Sequence, residues 1–189
     1  MNIFHRIYCR SDGWATAVQN YIMPWALKDV ALGDDVLEIG PGPGRTTEKL
    51  REQAARLTAI EIDHGLAEAL KARMAGTNVT VVEGDATKMP FPDASFSGAV
   101  SLTMLHHVPS AALQDKLLAE TFRVLRPGAV FAGSDSTPTL RWRLYHIMDT
   151  CVAVDPATFG ARLEAAGFTD VRVEKSEWPS FRFFARKPA

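Results

Sequence analysis

Three acidic side chains lie at or just beyond the ends of runs of strand-forming residues. Glu38 lies in VLEIG, Glu61 in LTAIEID and Asp85 in VVEGD. Carboxylates accept hydrogen bonds, so three of them at neighbouring strand ends suit a ligand that is rich in donors. An ammonium group, two ribose hydroxyls and an adenine amine are such donors, and together they describe a nucleoside that carries an amino acid.

Glycine and proline alternate directly after the first acid, over Gly40, Pro41, Gly42, Pro43 and Gly44. A glycine turn between a strand and a helix allows positive φ and lets a ligand approach the backbone at the helix start. A tight connection that binds nothing is the alternative. The dinucleotide pattern G-x-G-x-x-G/A needs a small residue where this chain has Arg45, and a carboxylate at Glu38 would repel a pyrophosphate. A nicotinamide dehydrogenase is therefore disfavoured.

The second and third acids also have simpler interpretations. Glu61 follows the glycines by about 20 residues, the spacing at which a carboxylate binds both ribose hydroxyls; it could instead be a solvated charge at a strand end. Asp63 more plausibly caps the next helix. Asp85 could accept from an adenine amine or be an ordinary loop acid.

Strand and helix patterns alternate along the chain and must position these acids. A first helix is predicted from Ser11 or Asp12 to about Leu27, and another over RTTEKLREQA. Alternation of this kind predicts a parallel sheet covered on both faces, the doubly wound α/β class. The last two strands, DVRVEKSE and SFRFFARK, have no helix between them, so they are expected to pair antiparallel.

The composition excludes several classes of protein. The formal net charge is −1, with 21 Lys and Arg against 22 Asp and Glu, so no electrostatic footprint for a nucleic acid or a membrane is evident. The only two cysteines, Cys9 and Cys151, lack the spacing of metal ligands, so no metal site is predicted. A reducing cytoplasm is the expected location. The N-terminus lacks the apolar core of a signal peptide or membrane span.

Four stretches resemble successive motifs of class I S-adenosylmethionine-dependent methyltransferases: VLEIGPGPGRTTEKL, LTAIEID, VVEGDATKMPFPDASFSGAVS and RVLRPGAVF. The resemblance implies a Rossmann-like seven-stranded sheet of order 3-2-1-4-5-7-6, parallel except for its last strand. It implies one domain over residues 1–189, with residues 1–32 as a helical cap over the cofactor and residues 33–189 as the core. The cofactor would be S-adenosyl-L-methionine, leaving S-adenosyl-L-homocysteine.

The resemblance also implies which residues bind that cofactor. The methionine portion would lie against Glu38 and the backbone of Gly40, Pro41, Gly42 and Gly44. Glu61 would bind the ribose. Ile62 would pack on the adenine face, although it could equally be a core residue. Asp85 and the backbone of Ala86 would contact the adenine edge, and Ser101 would lie beside the reacting methyl.

Two sets of methyltransferases resemble different parts of the chain. The first two motifs resemble ribosomal-RNA adenine dimethyltransferases, which carry an Asn/Asp-Pro-Pro-Tyr-like motif after the fourth strand. Here that position is SLTMLHHV, Ser101 to Val108, without the acidic or amide residue, the prolines and the aromatic residue. LHHV is similar to small-molecule methyltransferases instead. RNA methylation is therefore the weaker alternative, and a non-catalytic cofactor-binding or interaction module is another.

The acceptor side has several candidate residues and no fixed pattern. His106 or His146 could deprotonate an acceptor, whereas His107 is expected to have a structural role. Asp135 could contact the acceptor or cap the next segment. Tyr8 or Trp14 of the aromatic N-terminal segment could form a wall of the acceptor pocket. The expected function is methyl transfer, by in-line displacement, to a small and partly apolar acceptor.

Overall fold

The computed structural model describes Cys9, residues 11–147 and residues 150–189. Its strands are β1 (Asp35–Ile39), β2 (Arg56–Glu61), β3 (Val79–Glu83), β4 (Phe96–Leu102), β5 (Leu125–Ser136), β6 (Thr169–Lys175) and β7 (Ser180–Arg186). They form one seven-stranded sheet in the order β3-β2-β1-β4-β5-β7-β6. β7 runs antiparallel to both β5 and β6, and the other neighbours are parallel. The predicted fold class and strand order are confirmed.

The helices cover both faces of this sheet. They are α1 (Asp12–Ala17), α2 (Met23–Ala26), α3 (Thr47–Leu50), α4 (His64–Met74), α5 (Ala111–Val124), α6 (Leu140–Tyr145) and α7 (Pro156–Ala165), with a π-helical turn at Val18–Ile22 and a 3₁₀ turn at Leu105–His107. Asp63 caps α4 as predicted, because its Oδ1 accepts from the Leu66 N–H at 3.0 Å. Within the described residues, none of the helices has the length and apolar character needed to cross a membrane.

The N-terminal helix was predicted as one continuous helix and is divided by a wider turn. Ser11 caps its start by accepting from the Trp14 N–H. The π-helical turn then leads into α2, which contains Pro24. Proline cannot donate a backbone hydrogen bond and clashes with the carbonyl four residues earlier, so a widened turn accommodates it.

Helix α3 is much shorter than the helix predicted over Arg45–Ala54. After Leu50 the chain continues in tight turns, in which the Glu52 N–H bonds to Lys49 and not to a residue four positions back. The side-chain amide of Asn78 donates to the carbonyls of Arg51 and Ala54 at 2.9 and 2.8 Å. These long-range hydrogen bonds satisfy carbonyls of the turns that follow Leu50, and no local pattern predicts them.

The core consists of apolar side chains that alternate across the central strands. Leu37 and Ile39 of β1 face a large cluster that includes Phe131 of β5. Val36 faces the opposite side, where it joins Val100 of β4 and residues of α2 and α3. Two covered faces leave the carboxyl edge of the parallel strands as the place for a ligand.

Candidate functional site

The glycine turn follows β1 at the point where the strand order changes direction between β1 and β4. Gly40 has φ 66° and Gly42 has φ 54°. A Cβ on Gly40 would lie 2.2 Å from Met104, whereas one on Gly42 would meet no described atom within 4 Å. Gly40 thus allows the loop after β4 to approach, and Gly42 leaves its backbone open to a cleft of about 1800 Å³. Ligands of doubly wound folds bind at this switch point.

Glu38 does not line the cleft, contrary to the expectation that it would contact the methionine portion. The residue is 3% exposed, and the hydroxyls of Thr46 and Thr47 donate to its two carboxylate oxygens, the second at 2.6 Å. Burial raises the pKa of this carboxyl to about 7. Glu38 therefore fixes the start of α3 beneath the glycine turn.

Glu61 lines the cleft at the end of β2, as predicted for a ribose-binding acid. The N–H groups of Gly42 and Asp63 donate to its two oxygens, each at 2.9 Å. A carboxylate oxygen has two lone-pair sites, so each oxygen can accept a second donor such as a ribose hydroxyl. Ile62, the next residue, is 70% exposed and lines the cleft, so it is not a core residue. Its apolar surface fits an adenine face.

Asp85 and Ala86 also line the cleft, just after β3. Oδ1 of Asp85 accepts from the Thr87 N–H at 2.8 Å, which fixes the carboxylate in a turn. This position, next to the end of β2, fits the predicted contact with the adenine edge.

Ser101 and Gly44 are not brought to the cleft. Ser101 is fully buried and pairs in register with Gly133 of β5, where an added Cβ would lie 1.8 Å from the Ser101 carbonyl oxygen. A Cβ on Gly44 would lie 2.4 Å from Leu70, so that glycine packs against α4. Thr103 lines the cleft in place of Ser101. Its φ of 53° is unusual for a β-branched residue, and such backbone strain is frequent at functional sites.

Three histidines meet on the same cleft. His106 and His107 lie in the 3₁₀ turn after β4, and His146 follows α6. The ring centroids of His106 lie 4.2 Å from His107 and 5.1 Å from His146, and all three residues line the cleft. The two histidines proposed as catalytic candidates are thus together, and His107 lies beside them.

Asp135 of β5 is the partner of His106. It is fully buried, accepts from the His106 backbone N–H at 3.0 Å and makes a short contact with the ring Nδ1. Nδ1 of His146 lies 2.7 Å from the Trp142 carbonyl, which can only accept. In both rings Nδ1 therefore carries the proton, and Nε2 has the lone pair when the ring is neutral.

The N-terminal helical segment closes one side of the cleft. Trp14, Tyr21 and Trp25 line it. The side-chain amide of Gln19 donates to the Arg45 carbonyl at 2.8 Å, which links this segment to the glycine turn. Trp14 is therefore where a pocket wall was expected. Tyr8, the other candidate, lies outside the described residues.

The sequence pattern missed the pairing of Asp135 with His106, and it missed helix α6. Thr139 is a local signal for that helix, because its hydroxyl accepts from the Trp142 N–H at 3.0 Å as an N-cap does. No local signal relates Asp135 to His106, since their contact depends on the packing of β5 beside the turn that follows β4.

Known proteins are similar to this chain in sequence and in structure. The methyltransferase domain family matches residues 37–133. A "Probable ribosomal RNA small subunit methyltransferase A" of Natronomonas pharaonis is 45% identical over 83 residues, covering 42% of this chain and 30% of the relative. A "Probable S-adenosylmethionine-dependent methyltransferase" of Mycolicibacterium smegmatis is 33% identical over 99 residues, covering 52% of this chain and 37% of the relative. These matches span about a third of each relative's length.

One solved structure, a SAM-dependent methyltransferase from Aquifex aeolicus, has a TM-score of 0.77 at 19% identity and covers 98% of both chains, which is a likeness of fold. The strand order and the glycine turn agree with the family match, which covers just over half of the chain: the chain belongs to the methyltransferase domain family. The open backbone at Gly42, the two hydrogen-bonded oxygens of Glu61 and the exposed Ile62 fit S-adenosylmethionine as the cofactor.

Proposed function

We propose that this protein transfers a methyl group from S-adenosylmethionine to a small, partly apolar acceptor by in-line displacement. The observation that carries the proposal is that two sets of residues line one and the same cleft. One set, which includes Gly42, Glu61 and Ile62, fits the cofactor, and the other is the histidine group, His106, His107 and His146. The cofactor supplies an electrophilic sulfonium methyl. The protein then has mainly to align the acceptor and exclude water.

Each part of the cofactor has a partner among the lining residues. The backbone of Gly40, Pro41 and Gly42 contacts the methionine portion, and Glu61 accepts from the ribose hydroxyls. Ile62, Asp85 and Ala86 surround the adenine. The described part of the N-terminal segment, residues 11–32, covers the bound cofactor, and the hydrogen bond from Gln19 to Arg45 supports this.

The acceptor lies between the N-terminal segment and the histidine group. Trp14 and Trp142 line this part of the cleft and favour an apolar body. His106, whose ring is oriented by Asp135, and His146 contact the polar group of the acceptor. Ser134 also lines the cleft, and its Oγ is buried without a hydrogen-bond partner among the described residues. A buried hydroxyl of that kind favours a polar atom on the ligand.

RNA methylation is the second candidate, favoured by the relative from Natronomonas pharaonis. That similarity covers 42% of this chain, which leaves most of the acceptor side unmatched. The net charge of −1 and the sequence SLTMLHHV after β4 both argue against RNA. A cofactor-binding module without turnover would share the cofactor residues but would need no oriented histidine.

The test has a binding arm and a turnover arm. Calorimetry with S-adenosylhomocysteine should show binding by the wild type, and Glu61→Ala should weaken it about 10- to 100-fold, since hydrogen bonds to a charged group contribute about 1.5–3 kcal/mol. Glu83→Ala is the matched control, because Glu83 pairs in register with Glu61 on the next strand and is exposed. The turnover arm follows labelled methyl transfer to a panel of small hydroxyl, thiol and amine compounds and to small-subunit ribosomal RNA.

Transfer to an apolar small acceptor, lost in Glu61→Ala and kept in Glu83→Ala, is the expected result. Transfer to the ribosomal RNA alone would replace the small acceptor by RNA. Binding of S-adenosylhomocysteine without transfer to either class would favour the non-catalytic module. Binding of NAD in place of S-adenosylhomocysteine would overturn the assignment of the glycine turn.

A further inference from the structure

We propose that His106, His107 and His146 bind a divalent transition-metal ion, with Zn²⁺ the best fit, at the acceptor end of the cleft. Each residue offers one ring nitrogen, and these three nitrogens lie within 4.8 Å of one another. The site combines residues from two separate parts of the chain, which is why no ligand spacing is visible in the sequence.

The separation of the three nitrogens is close to what a metal ion requires. Tetrahedral zinc with Zn–N bonds of 2.0–2.1 Å places its ligand nitrogens about 3.4 Å apart. Small rotations of the side chains therefore bring the three rings from their present separation to a common ion. His107 and His146 are half-buried and His106 is buried.

Two of the rings already have the hydrogen bonds that orient metal ligands. Asp135 accepts at Nδ1 of His106, and the Trp142 carbonyl accepts at Nδ1 of His146. Metal-binding imidazoles characteristically donate their other N–H to a carboxylate or a backbone carbonyl, which fixes the tautomer and the ring orientation. This arrangement makes Nε2 the metal-binding nitrogen in both rings.

The ligand set selects the kind of ion. Imidazole nitrogens suit zinc and neighbouring first-row ions, whereas Mg²⁺ and Ca²⁺ prefer oxygen ligands. Three protein ligands leave a fourth position, the pattern of zinc sites that act on a substrate. All three histidines line the cleft, so that position is open to it. If the proposed function holds, the fourth ligand is a hydroxyl or thiol of the acceptor; metal binding itself does not depend on it.

A second group, His64, Glu68 and Glu83, also has its ligand atoms within 4.8 Å of one another. All three residues are exposed, and Lys71 donates to Glu68 at 2.7 Å. Because a cation already pairs with that carboxylate, this group is the weaker candidate and supplies the control.

The experiment measures Zn²⁺ bound to the metal-free chain by equilibrium dialysis. We expect one tight ion per chain in the wild type and in His64→Ala, and loss of that ion in His107→Ala and in His146→Ala. Asp135→Asn should weaken binding about 10- to 100-fold, the usual effect of removing a hydrogen-bond partner of a metal ligand. Calorimetry with S-adenosylhomocysteine on each variant verifies that the fold is intact.

Cobalt substitution tests the ligands directly. Co²⁺ should give the visible bands of a four-coordinate site without a thiolate charge-transfer band, which excludes Cys9 and Cys151 as ligands. No zinc in the wild type, unchanged binding in both His107→Ala and His146→Ala, or a thiolate band would each overturn the proposal. Zinc bound without methyl transfer would refute the proposed function alone, and methyl transfer by a wild-type chain that binds no Zn²⁺ in the dialysis would refute the metal site alone.

Discussion

Glu38 lies in a motif that suggested a ligand contact, but its side chain stabilises the fold. Its carboxylate is buried, and its hydrogen-bond donors from side chains are the neutral hydroxyls of Thr46 and Thr47. Burial is the main cause of its raised pKa, and the nearby carboxylate of Glu61 raises it further. A neutral, protonated Glu38 is therefore favoured in the folded state up to about pH 7.

This raised pKa predicts a pH-dependent stability that Glu38→Gln removes. The pKa is about 7 in the folded chain against 4.5 for the unperturbed group, so the stabilising effect of the proton is complete below about pH 4.5 and is lost as the pH rises through 7. The shift corresponds to about 3 kcal/mol. Urea unfolding from pH 4.5 to 8 should show Glu38→Gln gaining stability over the wild type by about that amount. Glu52→Gln, at an exposed position, should show no such gain, and a stability difference between Glu38→Gln and the wild type that stays constant from pH 4.5 to 8 would contradict the raised pKa of Glu38.

At the scale of the elements, β4 and β5 approach so closely that only glycine fits at position 133. An added Cβ would lie 1.8 Å from the Ser101 carbonyl oxygen and 2.9 Å from the ring of Phe183. Backbone cannot move aside as a flexible side chain can. The close contact keeps the carboxyl ends of β4 and β5 in register, and these ends lead to His106 and Asp135.

Gly133→Ala should therefore destabilise the protein by about 3 kcal/mol or more, since overpacking a tight core contact typically costs 1–3 kcal/mol even where side chains can adjust. Gly160→Ala is the matched control. Gly160 lies within α7, and its added Cβ would make ordinary contacts at 3.7 Å with Val171 and Val173. That variant should be neutral or up to about 1 kcal/mol more stable, because alanine favours helix. Equal unfolding midpoints for the two variants would contradict the packing argument.

Sequence patterns predicted the elements well where an element depends on residues that are close together in the sequence. The runs that became β1 and β2, the glycine turn and the Asp63 cap all depend on residues that are neighbours in sequence. The short α3 and the buried Ser101 depend on Asn78 and Gly133, which come from elsewhere in the chain. Strand-end positions pointed to Glu61 and Asp85, which both line the cleft, but alternation along a strand could not distinguish a carboxylate in the cleft from Glu38 beneath it.

At the scale of the whole molecule, the cleft joins two parts with different similarity to known proteins. The family match ends at residue 133, and Gly40, Glu61 and Asp85 lie within it. Trp14, Trp142 and His146 lie outside it and line the same cleft. The acceptor side thus depends on how the segments before β1 and after β5 pack on the matched region. That is the part for which sequence similarity gives the least information.

The proposed cover over the cofactor predicts that ligand binding will protect the N-terminal segment. S-adenosylhomocysteine at ten times its dissociation constant adds about 1.4 kcal/mol to any opening that abolishes binding, so amide exchange through such openings should slow roughly tenfold. We expect this slowing in residues 12–26, measured by hydrogen–deuterium exchange. Local openings of α7, which does not line the cleft, should be unaffected. Gln19→Ala removes the hydrogen bond to Arg45 and should reduce the protection of residues 12–26, whereas equal exchange with and without ligand in that segment would show that it does not cover the cofactor.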